Sequence, residues 1–298
     1  MIPVFNAASH IPLKEDRRSL DIDKARSETR WLEEHGANSL VISVPAASPY
    51  LTPDQMIAYI NAANDVRKNL KIICDVGARG TFEAIDLAQK AVENGAEFIM
   101  ICPPVIFPIS NISKKRYFMK IASSIPNTEV IIYNLPKYTL NPIDLPLLKE
   151  LLRDLTNVGG VKETIDNLIE FRQAKSIIEE MKLTKKVRLV IGEDLIIWDA
   201  FLVGQEIGTI STFCSMWLEH VMQLREYANQ NDNRKGQELG KKLEAFKSGV
   251  VRKLDYLVAQ QATATIRRNT GGYNPEPFAS PTKSDIDFVK NKINEIGL

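Results

Sequence analysis

The sequence lacks an excess of charge of either sign and lacks long apolar runs. Its 298 residues carry a formal net charge of +1, and the basic residues are not gathered into a stripe, so recruitment to nucleic acid by bulk charge is excluded. No apolar run reaches the roughly 18 residues needed to span a membrane. The N-terminus has no basic leader followed by a long apolar stretch. We therefore predict no signal peptide, no nucleic-acid partner and no membrane partner.

Histidine, cysteine and glycine-rich phosphate loops are also scarce. The three histidines have no metal-ligand spacing, and no Walker-type loop or dinucleotide fingerprint is present. The three cysteines, Cys74, Cys102 and Cys214, are odd in number, widely spaced and set among apolar residues. The cysteine pattern predicts reduced thiols in a cytoplasmic protein, and the histidine spacing predicts no metal site.

What the sequence does contain is a regular alternation of short apolar runs and amphipathic helices. The predicted strands are continuous apolar runs, as in a parallel sheet that is covered on both faces. Eight strand–helix units in roughly 230 residues predict an α/β fold, the (β/α)8 or TIM barrel. We predict the barrel over residues 1–230 and a helical extension over residues 231–298 that packs on it. Within the extension, 233–268 is predicted as one or two helices and 284–296 as the last helix.

Two residues at predicted strand ends carry the chemistry. Tyr133 ends the fifth strand and Lys162 ends the sixth. Neighbouring strands of a barrel are ~5 Å apart, so the two side chains can meet at its C-terminal end, where barrel active sites lie. Burial lowers the pKa of a lysine, and the neutral amine is a nucleophile that forms a Schiff base with a ketone. Either residue alone favours a surface lysine and a packing tyrosine, but the pair on adjacent strand ends favours an active site.

Four motifs resemble those of the N-acetylneuraminate lyase and dihydrodipicolinate synthase family of pyruvate-dependent class I aldolases. Tyr133-Asn134-Leu135-Pro136 is similar to the family's Tyr-Asn-x-Pro, and Gly160-Val161-Lys162-Glu163 to its Gly-(Ile/Val)-Lys-(Asp/Glu). Gly192-Glu193-Asp194 resembles its Gly-x-Asp after the seventh strand, and Gly208-Thr209-Ile210-Ser211 its Gly-x-Ile-Ser on the eighth. The resemblance extends over residues 2–211.

The resemblance implies a role for each matching residue. Lys162 would attack the keto carbon of pyruvate, and Tyr133 would relay protons to and from the substrate oxygens. Thr164, Gly192 and Ile210 match positions that bind substrate. The family's chemistry needs no cofactor beyond the covalent lysine adduct. The implied partners are pyruvate and an aldehyde, and the implied assembly is a homotetramer built from dimers.

The loop after the second strand departs from the family pattern. Where the family has Gly-(Thr/Ser)-Thr-Gly-Glu to hold the carboxylate of pyruvate, this chain runs from Ser43 through Pro45 to Ser48. Both hydroxyls of the threonine pair are missing, and proline has no N–H to donate. The remaining candidates are the hydroxyls of Ser43 and Ser48 and the backbone N–H groups of Ala46, Ala47 and Ser48.

Two further departures bear on the substrate. Tyr138 stands where the synthase branch has an arginine, and a second substrate carboxylate would then lack a bidentate partner. Residues 103–107, Pro-Pro-Val-Ile-Phe, replace the Pro-Tyr-Tyr of many members, which includes a tyrosine that reaches a neighbouring subunit. With Gly271-Gly272-Tyr273-Asn274-Pro275, similar to a C-terminal Gly-Tyr-x-x-Pro turn, the chain looks most like the archaeal 2-keto-3-deoxygluconate aldolases.

Three functions fit these patterns. The first is a Schiff-base lyase that cleaves or forms a 2-keto-3-deoxy sugar acid or a similar pyruvate aldol. The second is a barrel that kept Lys162 but lost turnover, and that binds a keto acid or serves as an assembly partner; the altered loop motivates it. The third is a hydratase or decarboxylase that uses the same Schiff base.

Overall fold

A closed barrel of eight parallel strands forms the centre of the molecule in the computed structural model, which describes residues 1–43 and 47–298. The strands pair in chain order and β1 closes the barrel against β8. The fold prediction of a (β/α)8 barrel is confirmed. Strands β1 to β8 span Phe5–Ala8, Ser39–Ile42, Lys71–Asp75, Phe98–Ile101, Glu129–Asn134, Val158–Glu163, Arg188–Ile191 and Gly208–Ser211.

Helices cover the outside of the barrel. Those of the described residues, α1 to α13, span Ile22–Glu34, Pro53–Asn64, Thr81–Glu93, Asn111–Ser124, Pro136–Thr139, Leu145–Asp154, Leu168–Glu180, Ile197–Phe201, Phe213–Met216, Leu218–Asn229, Asn233–Phe246, Tyr256–Arg268 and Lys283–Ile296. Two 3-10 turns occupy Ser48–Tyr50 and Asp194–Ile196, and a π-helical turn occupies Lys247–Val251. No helix in this described part of the chain has the length and apolar character needed to cross a membrane.

The period of two along each strand decides which side chains enter the barrel. In β3, Ile72 and Cys74 join the apolar layer between strands and helices, whereas Ile73 joins the separate cluster inside the barrel. Tyr133 of β5 belongs to that inner cluster as well. Alternation therefore directs Asp75, two residues after Ile73, toward the barrel interior. The same rule directs Lys162 of β6 inward, because its neighbour Val161 packs on the helices.

Helix α12 packs against the C-terminal end of the barrel. In α12, the side-chain amide of Gln260 donates to the backbone oxygen of Ala8 at the end of β1 (2.8 Å). Gln261 donates in the same way to the backbone oxygen of Ile11 (2.8 Å). These contacts bring residues 247–256, which precede and begin α12, to the end of the barrel where active sites are expected. The division into 1–230 and 231–298 stays a prediction.

Candidate active site

Lys162 and Tyr133 lie side by side at the C-terminal end of the barrel. They are register partners on β6 and β5. The Lys162 Nζ atom is 3.8 Å from the centroid of the Tyr133 ring. Both side chains are buried, with 2% of Lys162 and 3% of Tyr133 exposed. The sequence prediction that the two residues meet is confirmed by this geometry.

Gly192 makes room for the lysine. A Cβ atom at this position would lie 2.7 Å from Cε of Lys162 and 2.1 Å from Oγ1 of Thr164. Real Cβ contacts essentially never come so close, so a larger residue would displace both side chains. The backbone N–H of Gly192 donates to the backbone oxygen of Glu163 (2.7 Å), which holds the segment after β7 against β6. Gly192 thus shapes the site through the volume it leaves empty.

The environment of Lys162 favours its neutral form more than water does. Burial lowers its pKa to about 8, against the opposing influence of Asp75, Cys102 and Asp194. Because this value lies much closer to neutral pH than that of an ordinary lysine, more of the amine is unprotonated and nucleophilic.

Tyr133 is arranged to keep and transfer a proton. The Thr164 hydroxyl donates to the phenol oxygen of Tyr133, with 3.3 Å between the oxygens. Burial raises the pKa of Tyr133 well above its ordinary value, and the hydrogen bond from Thr164 only partly opposes this. The phenol is therefore protonated at neutral pH and can donate to an oxygen above Lys162.

A cavity of about 310 Å³ opens above these residues. Six of the residues predicted from the sequence line it, and its size suits a small organic acid. The predicted residues in its wall are Tyr133, Tyr138, Lys162, Thr164, Gly192 and Ile210. Tyr138 is 70% exposed, so it forms part of the entrance.

The predicted carboxylate-binding loop is not brought to this cavity in the part that the structure describes. Pro45 and Ala46 lie outside the described residues. Ser43 is buried, with a φ of 66°, while Ala47 and Ser48 are buried at the start of a 3-10 turn. Among the described residues, neither Ser43, Ala47 nor Ser48 lines the cavity. The Ser48 backbone oxygen instead accepts a hydrogen bond from Arg79.

One wall of the cavity consists of polar residues that the sequence analysis did not single out as site residues. Lys247 on the π-helical turn forms an ion pair with Glu193 (Nζ to Oε1, 2.5 Å) and lies 3.6 Å from a carboxylate oxygen of Asp194. The Thr212 hydroxyl donates to Asp194 (3.0 Å) and accepts a hydrogen bond from the Tyr256 phenol. The Gly192-Glu193-Asp194 motif pointed to two of them. A π-helical turn often marks a functional site, but the sequence carries no signal for it.

Asp75, the last residue of β3, is a further buried charge that the sequence analysis missed. Its side chain is fully buried at the end of β3. A carboxylate at the end of an apolar strand is the acidic counterpart of the signal that identified Lys162. In the described residues there is no group of three or more His, Cys, Asp or Glu side chains arranged to hold a metal ion.

Comparison with known proteins supports the resemblance read from the motifs. The model of the dihydrodipicolinate synthetase family matches residues 8–295. A 4-hydroxy-tetrahydrodipicolinate synthase from Methanococcus maripaludis strain S2 is 26% identical over 234 residues, which is 78% of this chain and 77% of the relative.

Two solved structures share the fold along almost the whole chain. A variant of the Sulfolobus solfataricus 2-keto-3-deoxygluconate aldolase superposes with a TM-score of 0.84 at 19% identity, covering 99% of this chain and 96% of that one. A prophage protein of the dihydrodipicolinic acid synthase family from E. coli K12, solved with pyruvate, superposes with a TM-score of 0.89 at 19% identity, covering 100% of both chains.

Proposed function

This chain belongs to the dihydrodipicolinate synthetase family of class I pyruvate aldolases and lyases, and we propose that it is a Schiff-base lyase for a 2-keto-3-deoxy sugar acid or a similar pyruvate aldol. The observation that carries the proposal is the amine of Lys162, buried beside Tyr133 under a cavity of about 310 Å³. A lysine whose pKa is lowered to about 8 in such a cavity is equipped to attack a ketone.

The reaction follows from this arrangement. The neutral amine of Lys162 adds to the keto carbon, and loss of water leaves a positively charged iminium. The iminium withdraws electrons, so the bond between the third and fourth carbons of the substrate breaks, releasing an aldehyde and leaving an enamine. Protonation of the enamine and hydrolysis then free pyruvate and the amine. Condensation is the same sequence in reverse.

Tyr133 serves as the proton relay in this proposal. Cleavage needs a base for the proton on the hydroxyl of the fourth carbon, and carbinolamine formation needs an acid for the keto oxygen. The protonated phenol of Tyr133 supplies the acid, and the Thr164 hydroxyl at 3.3 Å orients it. Accepting a proton in turn requires a transient phenolate, which the adjacent iminium cation stabilises.

The polar wall favours a hydroxyl-rich aldehyde over a charged one. Glu193 and Asp194 already neutralise Lys247, so that wall offers carboxylate acceptors and hydroxyl groups to a polyhydroxy chain. Tyr138 at the entrance provides no guanidinium for a second carboxylate. These features support a sugar acid as the substrate, rather than the two-carboxylate product of a synthase.

The assembly we propose is a homotetramer. Ile106 and Phe107 are 71% and 75% exposed, and Leu140, two residues after Tyr138, is also exposed. The side-chain amide of Asn141 donates to the backbone oxygens of Pro104 and Phe107 (2.8 Å each), which joins the two loops into one surface. An apolar surface of this kind supports burial between subunits. Sedimentation equilibrium should show four chains, and a monomer at micromolar concentration would contradict the assembly.

Two parts of the proposal rest on groups other than the described residues that line the cavity. The loop from Ser43 to Ser48 remains our candidate for holding the keto-acid carboxylate, because a buried anion needs hydrogen-bond donors.

The buried thiols of Cys74, Cys102 and Cys214 support a reducing, cytoplasmic location.

The experiment that tests the function is a retro-aldol assay. The protein is supplied with 2-keto-3-deoxygluconate, and released pyruvate is measured through its reduction by lactate dehydrogenase. We expect turnover by the wild type and none by Lys162→Ala. Adduct formation with pyruvate but no cleavage of any 2-keto-3-deoxy sugar acid would identify a keto-acid-binding protein. Loss of water or carbon dioxide instead of an aldehyde would identify a hydratase or decarboxylase.

A further inference from the structure

Asp75 is a buried acid that the mechanism above does not use. It is the last residue of β3 and its side chain has no exposed surface. Its register partner Met100 and its neighbour Ile73 both belong to the cluster inside the barrel. Asp75 therefore projects into the same interior as Tyr133 and Lys162.

Only half of the Asp75 carboxylate is satisfied by hydrogen bonds. Oδ1 accepts from the backbone N–H of Gly77 at 3.0 Å. Oδ2 is buried and has no hydrogen-bond partner in the described structure. The Gly77 turn is fixed closely against the next strand, since a Cβ there would lie 2.4 Å from the backbone nitrogen of Cys102. A buried charged oxygen without a partner is expensive, so its presence calls for a reason.

Among the described residues, the groups that face this carboxylate include two cations. Asp75 interacts electrostatically with Lys162 and Arg79, and with the neutral thiols and phenols of Cys74, Cys102, Tyr117 and Tyr133. Arg79 is committed elsewhere: it forms an ion pair with Glu83 (2.6 Å) and donates to the backbone oxygen of Leu51 (3.0 Å).

Lys162 is the complementary cation. In contrast to Arg79, it forms no ion pair within 4 Å with any carboxylate in the described part of the chain, and it sits over the ring of Tyr133. Its electrostatic partners are Asp75, Cys102 and Asp194. Asp194 already accepts hydrogen bonds from Thr212 and the Phe213 backbone and lies near Lys247. Asp75 is therefore the carboxylate with a free oxygen.

We propose that Asp75 is the counter-ion of Lys162, for the ammonium before reaction and for the iminium after it. Only the role of Asp75 toward the iminium rests on the proposed function. When the amine adds to a ketone and water leaves, a positive charge is fixed on the nitrogen in a dry cavity. The carboxylate of Asp75 balances that charge without itself gaining or losing a proton. It acts through Lys162 and does not touch the substrate.

Substitution of Asp75 by asparagine tests the charge while preserving shape. The Asn side chain keeps an oxygen that can accept from the Gly77 N–H. The control is Glu163→Gln, which makes the same acid-to-amide change with little change of charge. Glu163 is buried and adjacent to Lys162 in sequence, burial raises its pKa to about 8, and its carboxyl group accepts from Asn134 (2.8 Å). Circular dichroism and melting curves verify that both variants fold.

The primary readout needs no substrate. The rate at which acetic anhydride modifies Lys162 is followed against pH by peptide mass spectrometry. The wild type should give a midpoint near pH 8. In Asp75→Asn the midpoint should fall by about one pH unit, since an opposite charge nearby shifts a pKa by at least that much. Glu163→Gln should leave it unchanged. An unchanged midpoint in folded Asp75→Asn overturns the proposal.

A second readout separates the iminium role from the proposed function. Adduct trapped at saturating pyruvate by borohydride should decrease several-fold in Asp75→Asn at a pH above both midpoints. If the midpoint falls in Asp75→Asn but the wild type never forms the adduct, the proposed function is refuted. The role of Asp75 as counter-ion of the ammonium then still stands. Equal trapping in both proteins would overturn the iminium half.

The pH dependence of the wild type provides a further test. Burial raises the pKa of Asp75 to about 6. Below that pH the counter-ion is neutralised and Lys162 loses protons more readily. The logarithm of the acetylation rate should therefore show a shoulder near pH 6 rather than a constant tenfold change per pH unit. A constant slope between pH 5 and pH 7, together with an unchanged midpoint in folded Asp75→Asn, would overturn the proposal.

Discussion

The molecule contains two clusters of buried charge that are built in opposite ways. One surrounds Glu28 of α1, whose two carboxylate oxygens accept two hydrogen bonds each. Ser9 (3.0 Å) and Arg268 Nη2 (2.7 Å) donate to one oxygen, while Arg268 Nε (2.5 Å) and Thr270 (2.6 Å) donate to the other. The other cluster contains Lys162 and Asp75, where hydrogen bonds are few.

The difference appears in the protonation of the two acids. Burial works against both charges. At Glu28, Arg268 and the hydrogen bonds outweigh burial and lower the pKa to about 2. At Asp75, burial prevails and raises the pKa to about 6. A buried charge with a full set of hydrogen-bond partners stabilises the fold, as Glu28 does by linking α1 to α12. A buried charge with few partners stays reactive.

The largest effect that we expect concerns the reactive cluster. Tyr133→Phe retains the ring beside Lys162 and removes only the hydroxyl that would relay protons. We expect kcat in the retro-aldol assay to fall by about 10²–10⁴, the usual contribution of general acid–base catalysis. The melting temperature should change little, because the hydroxyl has a single long hydrogen bond. A near-normal kcat would remove Tyr133 from the mechanism.

Breaking the scaffold cluster should cost stability instead. Glu28→Gln leaves Arg268 as an unpaired buried cation, and we expect urea denaturation at pH 7 to show a loss of ~3 kcal/mol or more. Because the folded pKa of Glu28 is depressed from 4.5 to about 2, its contribution is present above pH 4.5 and is lost as the pH falls toward 2. Stability of the wild type should decline over that range more steeply than that of the variant.

The control for this experiment is Glu276→Gln. Glu276 also forms an ion pair with an arginine, Arg17, but its side chain is 68% exposed. Exposed pairs contribute roughly 0–1 kcal/mol. If Glu276→Gln lost as much stability as Glu28→Gln, the contribution of Glu28 could not be attributed to its buried and complete hydrogen-bond network.

Gly192→Ala tests whether the reactive cluster depends on the space beside Lys162. Its Cβ would meet Lys162 and Thr164 at distances that force both to move. A displacement of this size costs up to about 10²-fold in rate, so we expect borohydride trapping of pyruvate to slow by about 10- to 100-fold. Gly240→Ala on α11 is the matched control, since its Cβ has no neighbour closer than 3.9 Å. Equal trapping rates in the two variants would contradict the packing argument.

The last effect is spread over several pH units and concerns Glu163, which has one side-chain donor, Asn134. Burial raises its pKa from 4.5 to about 8. An acid with a raised folded pKa stabilises below the unfolded value, and this contribution is lost as pH rises toward 8. Wild-type stability should fall by about 1 kcal/mol per pH unit between pH 5 and 7.5 relative to Glu163→Gln. Parallel curves would show that Glu163 is ionised throughout.

The barrel and its reactive pair could be predicted from the sequence because both depend on local patterns. Apolar runs identify strands, and Tyr133 and Lys162 are separated by one strand–helix unit. Lys247 and Tyr256 could not be predicted, since they reach the cavity from the extension through tertiary packing of α12. Asp75 carries a local signal of the same kind as Lys162, a charged residue at the end of an apolar strand. Its role could not be predicted, because the sequence does not show which cation it faces.

The central claim is that an incompletely partnered buried lysine is the nucleophile, and one labelling experiment tests it. Lys114 provides an internal control, because it is also buried but donates to the backbone oxygen of Pro142. The protein is incubated with pyruvate and borohydride and mapped by peptide mass spectrometry. We predict a reduced pyruvate adduct on Lys162 and none on Lys114, with no adduct in Lys162→Ala. An unmodified Lys162 at saturating pyruvate, or equal labelling of Lys114, would contradict the claim.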